Sequence, residues 1–179
     1  MLPTILIIVG SIIVLFIIVA AMQSSEFRVV RSAKMQAAPA TVFQQVNDFH
    51  NWKPWSPWAK IDPDMKEVYE GSPSGTGAKY AWIGNKKVGE GRMTITESTP
   101  GSLIRINLEF LRPFKATNTT EFTFTADGEQ TLVTWSMFGR KNFMFKAVGL
   151  FMNMDKMVGG DFEKGLAQMR SIVEGSDKQ

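Results

Sequence analysis

The chain has a single histidine, His50, two residues after Asp48. An Asp–His pair can orient a general base, but nucleophilic catalysis also needs a Ser, Cys or Lys held beside that base, and no such constellation is visible. There is no cysteine, which removes thiolate and disulfide chemistry while fitting either a reducing or an oxidising compartment. No HExxH motif and no acidic metal-binding cluster occurs, so neither metal nor cofactor is expected, and no residue is assigned as catalytic. The glycine-rich run Gly71-Ser72-Pro73-Ser74-Gly75-Thr76-Gly77 contains proline, lacks the P-loop lysine and leads into a strand, so it reads as a turn. Catalysis stays open only in the form of an apolar pocket that shapes a substrate around one polar residue.

The most unusual stretch is DFHNWKPWSPWAK, Asp48 to Lys60, with Trp52, Trp55 and Trp58 three residues apart and interrupted by Pro54 and Pro57. The prolines break a helix, and each indole adds broad apolar area with one N–H to satisfy. This segment is expected to pack beneath the C-terminal helix, with ligand contact by Trp55 as the second option.

Those residues need elements to position them. From Leu2 to Met22 the sequence carries no charge. At about 1.5 Å per residue such a helix spans a hydrocarbon core of roughly 30 Å. A transmembrane anchor is the reading for 1–22, with an uncleaved or cleaved signal as its rival; the run exceeds the usual signal-peptide core of about 7–15 residues. Residues 23–26 form a linker, 27–174 the folded domain and 175–179 a tail. Arg28, Arg31 and Lys34 follow the apolar run, but they belong to a strand and leave the orientation open.

The domain reads as mostly β. Strands are expected over Phe27–Met35, Glu67–Gly71, Ala78–Gly84, Val88–Glu97, Leu103–Leu111, Thr117–Ala126 and Thr131–Gly139, with short Gly-, Pro-, Asn- or Asp-bearing gaps that mark an antiparallel meander. In the sixth strand the threonines and Glu121 are read onto one face and Phe122 and Phe124 onto the other. A short helix runs from Val42 to about Asp48. A long one runs from Asp155 to about Glu174, with Val158, Phe162, Leu166, Met169 and Val173 at helical spacing. The fold class is α+β, a curved antiparallel sheet with one long helix across its apolar face.

This order, together with Phe43, Val46, Asp48, Phe49 and Trp52 before Trp55-Ser56-Pro57-Trp58, resembles the SRPBCC superfamily. Its helix-grip members include START lipid-transfer domains, birch-pollen-allergen-like proteins and polyketide cyclase/dehydrase proteins. Tyr80-Ala81-Trp82, Thr134-Trp135-Ser136-Met137 and Gly159-Gly160-Asp161-Phe162 are similar to further pieces of the pattern. The resemblance implies an internal cavity between sheet and helix. Taking each strand's apolar phase as inward, and adding the helical segments that would close the space, the cavity residues are Trp55, Tyr80, Trp82, Met93, Phe110, Phe122, Phe124, Trp135, Met137, Met152 and Phe162.

Alternate turns of a meander fall at one end of the sheet. One end gathers Lys86, Lys87, Arg112, Lys115, Arg140 and Lys141, and its turns carry no acid. The turns at the other end carry Glu97, Asp127 and Glu129 and no base. If the first strand pairs with the last, the basic end adjoins the apolar helix and faces the bilayer, where anionic headgroups attract such residues. A net charge of +3 beside an anchor makes nucleic acid a poor partner. The Phe- and Met-rich segment Phe143 to Met154 either repacks around ligands at the cavity mouth or lies buried against the sheet. The expected function is a membrane-anchored binder of a hydrophobic small molecule or lipid. The alternatives are a polyketide cyclase/dehydrase-type enzyme and a chaperone-like or regulatory interaction domain. Oligomeric state is not legible.

Overall fold

Seven runs of alternating apolar and polar residues pair into one antiparallel sheet. In chain order they are β1 (Glu26–Met35), β2 (Lys66–Gly71), β3 (Ala78–Ile83), β4 (Glu90–Thr99), β5 (Leu103–Arg112), β6 (Ala116–Asp127) and β7 (Gln130–Arg140). The computed structural model describes residues 2–151 and 153–176. The sheet order is β1-β7-β6-β5-β4-β3-β2, so the meander closes with the first strand beside the last. The α-helices among the described residues are α1 (Leu2–Met22), α2 (Pro39–Asn47), α3 (Phe143–Gly149) and α4 (Met154–Ser176). A register shift in β4, where Thr96 falls between the pairs Ile95–Ile106 and Glu97–Arg105, adds one residue to one strand and so bends the sheet locally.

The core lies on one face of this sheet. Ile95, Ile104, Ile106, Phe122, Val133 and Trp135 of the central strands meet Phe162, Leu166, Met169 and Val173 of α4 and Val42, Phe43 and Val46 of α2. This is the helix-grip arrangement, with α4 packed chiefly along β1.

One correction concerns β6. Thr120 shares the buried face with Phe122 and Phe124, as does Asn118, because 118, 120, 122 and 124 have the same parity. Reading threonine as an outward residue put it on the wrong side.

The tryptophan segment forms two 3-10 turns, Phe49–Trp52 and Pro57–Lys60. It completes the end of α2. The last four carbonyls of a helix have no partner within it, and here each finds one elsewhere. Gln44 O accepts from Asn51 Nδ2 at 3.0 Å, Gln45 O from Trp55 Nε1 at 3.1 Å and Val46 O from Trp52 Nε1 at 3.0 Å. Asn47 O accepts from the Gly75 N–H at 2.8 Å, across a turn in which Gly75 holds a left-handed φ of 67° that glycine tolerates best. Two of the three indoles therefore cap a helix while their rings fill the core.

Candidate functional site

The inner face of the sheet differs between its two ends. Beneath α4 it is solid. Trp135 stacks on Phe162 with ring centroids 4.0 Å apart and planes 8° from parallel, and Phe122 stacks on Trp135 from the other side at 4.8 Å. Trp55 meets Phe122 and Trp135 edge-on and is 0% exposed. Four expected cavity residues, Trp55, Phe122, Trp135 and Phe162, thus form a continuous aromatic cluster, and Phe124 packs edge-on against Phe43 at 5.5 Å. Two buried polar atoms here, Trp135 Nε1 and Gln168 Oε1, have no partner among the described residues.

Toward the end where β1 begins, the same face loosens. Phe27, Val88, Phe110 and Val158 are only partly buried against the core there, as Ala33, Trp58 and Ile172 are elsewhere. Trp82 lies over Gly91, where any Cβ would overlap its ring, and meets Phe110 edge-on at 6.1 Å. Met93 and Met137 are buried nearby in sequence register. Asn118 and Thr120 present polar side chains to this region at 7% and 3% exposure, and neither has a side-chain hydrogen bond among the described residues. Asn118 faces Gly139 across the β6–β7 ladder, and its amide oxygen occupies the space a Cβ at 139 would need. The fully buried unpartnered side-chain atoms are Trp135 Nε1 and Gln168 Oε1 of the packed end, so the Asn118 amide and Thr120 hydroxyl keep some contact with solvent and are open to a ligand's polar end. Met152, the remaining expected cavity residue, lies outside the described residues.

Two surface concavities are present, and both lie away from the space under α4. One, of about 300 Å³, is lined by Lys79, Tyr80, Arg92, Thr94 and Glu109 and their neighbours. The other, of about 440 Å³, is bounded by Glu26, Phe27, Arg28, Phe138, Gly139 and Arg140, at the start of β1.

The Asp48–His50 pair is formed, with Nδ1 of His50 2.7 Å from Asp48 Oδ1. It sits on the surface beside β2, where His50 stacks on Tyr69 at 4.2 Å. Tyr69 contacts Tyr80 at 5.2 Å, and Tyr80 donates to Glu67 at 2.9 Å. Burial first, and the Glu67 hydrogen bond second, push the Tyr80 phenol far above its ordinary range, so it is a donor and not a base. No three His, Asp or Glu side chains converge as a metal site among the described residues.

The basic turns occupy one end of the sheet, with Lys86, Lys87, Arg112, Lys115 and Arg140 exposed and Lys141 half-buried. Glu26 lies opposite Arg140 in the ladder, and the Lys141 N–H donates to Ser25 O at 2.7 Å, so α1 leaves the domain from this same end. The charge separation is weaker than the turns alone suggest. Arg112 is ion-paired with Glu90, and Asp62 accepts from the Asn85 N–H. At the other end Glu97 pairs with Arg105, and Asp127 with Lys34.

A missed feature lies on β1. Arg31 points inward from an edge strand, and its guanidinium contacts Asp155 at 3.0 Å and Glu163 at 2.6 Å on α4. Gly159 lies between those two carboxylates on the same helix face, and a Cβ there would overlap the guanidinium. The sequence signal was the i, i+4, i+8 series Asp155, Gly159, Glu163.

Residues 26–174 match the family model described as polyketide cyclase / dehydrase and lipid transport. The chain belongs to that family. A search of the curated proteins gives no match. Among solved structures, this polyketide cyclase/dehydrase and lipid transport member is similar to TTHA0849 of Thermus thermophilus, at 15% identity and a TM-score of 0.61, covering 84% of this chain and 99% of that one. Protein CV1439 of Chromobacterium violaceum matches at 15% identity and 0.58, over 84% and 97%. The Aha1 dimer of Colwellia psychrerythraea matches at 13% and 0.58, over 83% and 96%. Likeness at these identities extends to the fold.

Proposed function

We propose that this protein is a membrane-anchored binder of a hydrophobic small molecule or lipid, admitted at the α1 end of the sheet's inner face. The observation that carries this reading is the contrast between the two ends of that face. One end is closed by the Trp55–Phe122–Trp135–Phe162 cluster, whereas the other leaves Phe27, Val88 and Phe110 partly uncovered, with Asn118 and Thr120 on the same face making no side-chain hydrogen bond among the described residues. An amphiphile suits such a site. Its chain would cover the aromatic and methionine side chains, and a carbonyl or hydroxyl would pair with the amide and hydroxyl. Binding is favoured over acid–base catalysis because neither Asn nor Thr titrates in the working range, and the only histidine lies outside this region.

The anchor adds position. α1 is long and apolar enough to cross a membrane, and it leaves the domain at the end that carries the basic turns. Each Lys or Arg near an anionic surface contributes about 1 kcal/mol of attraction. A lipid could then pass between bilayer and site without crossing open water. The test is native mass spectrometry of the detergent-extracted full chain. Co-purifying lipid is expected in the wild type and should be depleted when Gly139→Val fills the floor and displaces Asn118. Equal lipid retention by both proteins, or none in either, would overturn the reading.

A further inference from the structure

Helix α3 is at odds with the rest of the fold. It has seven residues and none of them is buried. Met144 and Val148 recur at i and i+4 on one face, Phe151 follows in the turn after the helix, and the three are 55%, 38% and 80% exposed. Phe143, half exposed, extends the patch. A helix this short is marginal in water, and an apolar stripe is stable only when something covers it. Among the described residues, neither the strands nor α4 covers it.

What α3 does touch is α1. Phe151 stacks on Phe16 with ring centroids 6.0 Å apart, and Lys146 Nζ donates to Ala21 O at 3.3 Å. Ala20 is the one buried residue of α1, one turn from Phe16 on the same face. The two contacts fix a direction. Lys146 meets the last turn of α1, where a cation complements the unpaired carbonyls, and the chain then runs back along α1 to the level of Phe16. Phe16 is six residues before the end of α1 at Met22, which is about 9 Å along a helix axis. If α1 fills the hydrocarbon core, Phe151 lies below the interface beside it, and Lys146 lies at headgroup level.

We propose that α3 and the following Leu150–Phe151 are a second membrane element, a wedge inserted in the bilayer interface alongside α1. The partner is the lipid surface itself. Phe114, 55% exposed at the β5–β6 turn and edge-on to Phe145 at 6.4 Å, continues the apolar rim from α3 to the sheet. Between the exposed Met144, Val148 and Phe151 the only charged side chain is that of Lys146, which suits an interfacial segment better than a water-facing one.

This inference rests on α1 spanning the bilayer, and one experiment separates the two. Because the chain has no cysteine, single variants can carry a nitroxide without background. Ile12→Cys in α1, Val148→Cys and Phe151→Cys in the wedge, and Val68→Cys on β2 are all at exposed positions. The labelled full chain is reconstituted in vesicles of phosphatidylcholine and phosphatidylglycerol. Collision with oxygen, which concentrates in lipid, is compared with collision with a water-soluble nickel chelate. Positions 12 and 151 should be accessible to oxygen and shielded from nickel, 148 intermediate, and 68 aqueous. Position 12 deep with 148 and 151 as aqueous as 68 would overturn the wedge and leave the anchor standing. Position 12 accessible to nickel would remove the anchor and the wedge together. Shielding of 148 and 151 from both reagents would mean that protein, such as a second copy of the chain, covers the stripe, and would replace the bilayer as partner.

Discussion

Trp135 of β7 and Phe162 of α4 lie face to face, 4.0 Å between centroids, which ties the helix to β7 as well as to β1. Each ring is almost fully buried. Phe162→Ala is expected to cost roughly 3–5 kcal/mol, as large aromatic truncations in cores do. The urea midpoint of the chain in detergent should fall accordingly. A midpoint unchanged from wild type would mean that the helix is held elsewhere, along β1.

Trp55 allows packing and capping to be separated. Trp55→Phe keeps most of the buried area but leaves Gln45 O without its indole donor, so a loss of about 1–3 kcal/mol is expected. Trp55→Ala should lose roughly 3–5 kcal/mol. Comparison of denaturation midpoints checks the order; if both variants keep wild-type stability but lose lipid, Trp55 is a ligand contact and not a support.

Adjacent glycines on α4 should respond in opposite directions. Gly159→Ala drives a methyl group into the Arg31 guanidinium and should break its contact with Asp155 and Glu163. A methyl group on Gly160 would meet open space, so Gly160→Ala gains helix propensity of up to about 1 kcal/mol. Thermal unfolding of the pair decides this, and a stabilised Gly159→Ala would contradict the arrangement around Arg31.

The strands and the long helix were legible because their periods repeat over many residues. Phe122 and Phe124, or Phe162, Leu166, Met169 and Val173, need no partner to be recognised. Arg31 was not legible as an inward residue, since a charge on the core phase of a strand makes sense only once α4 supplies two carboxylates. The caps on α2 were hidden for a similar reason: an indole N–H shows no preference in sequence for a carbonyl several residues away. Asn118 and Thr120 could have been found by parity alone, and were lost because polar residue type was given more weight than phase. α3 was unreadable as a helix without α1, the long element it contacts, and the sequence offered burial against the sheet as an equal option that the exposed Phe143, Met144, Val148 and Phe151 do not take, Met152 lying outside the described residues.

The Arg31 cluster also predicts a pH response. Hydrogen bonds from the Arg31 guanidinium hold the Asp155 carboxyl below its ordinary range. A carboxyl lowered in the folded state binds protons more readily when unfolded. Its contribution is therefore complete above the unfolded value, about 4, and is lost as pH falls through the lower folded value. The difference in denaturation midpoint between wild type and Asp155→Asn should be constant from about pH 7 to 5 and shrink below about pH 4. A difference that grows on acidification would show that the coupling has the opposite sign.

The pairing of β1 with β7 brings the beginning and end of the sheet together: Phe27 lies opposite Gly139, about 110 residues apart in the chain. At a synthesis rate of about 5–20 residues per second, β1 spends roughly 5–20 s without its neighbour. Throughout that interval it is an unpaired strand held close to the membrane-crossing candidate α1. The inward charge of Arg31 then has a second consequence, because a cation in the middle of a solitary strand discourages the wrong strand from docking there. Its carboxylate partners, Asp155 and Glu163, emerge only after β7 has been made. α4, the last element of the domain to be synthesised, is therefore the part that neutralises Arg31 of the first strand, after β7 is already available to pair with β1.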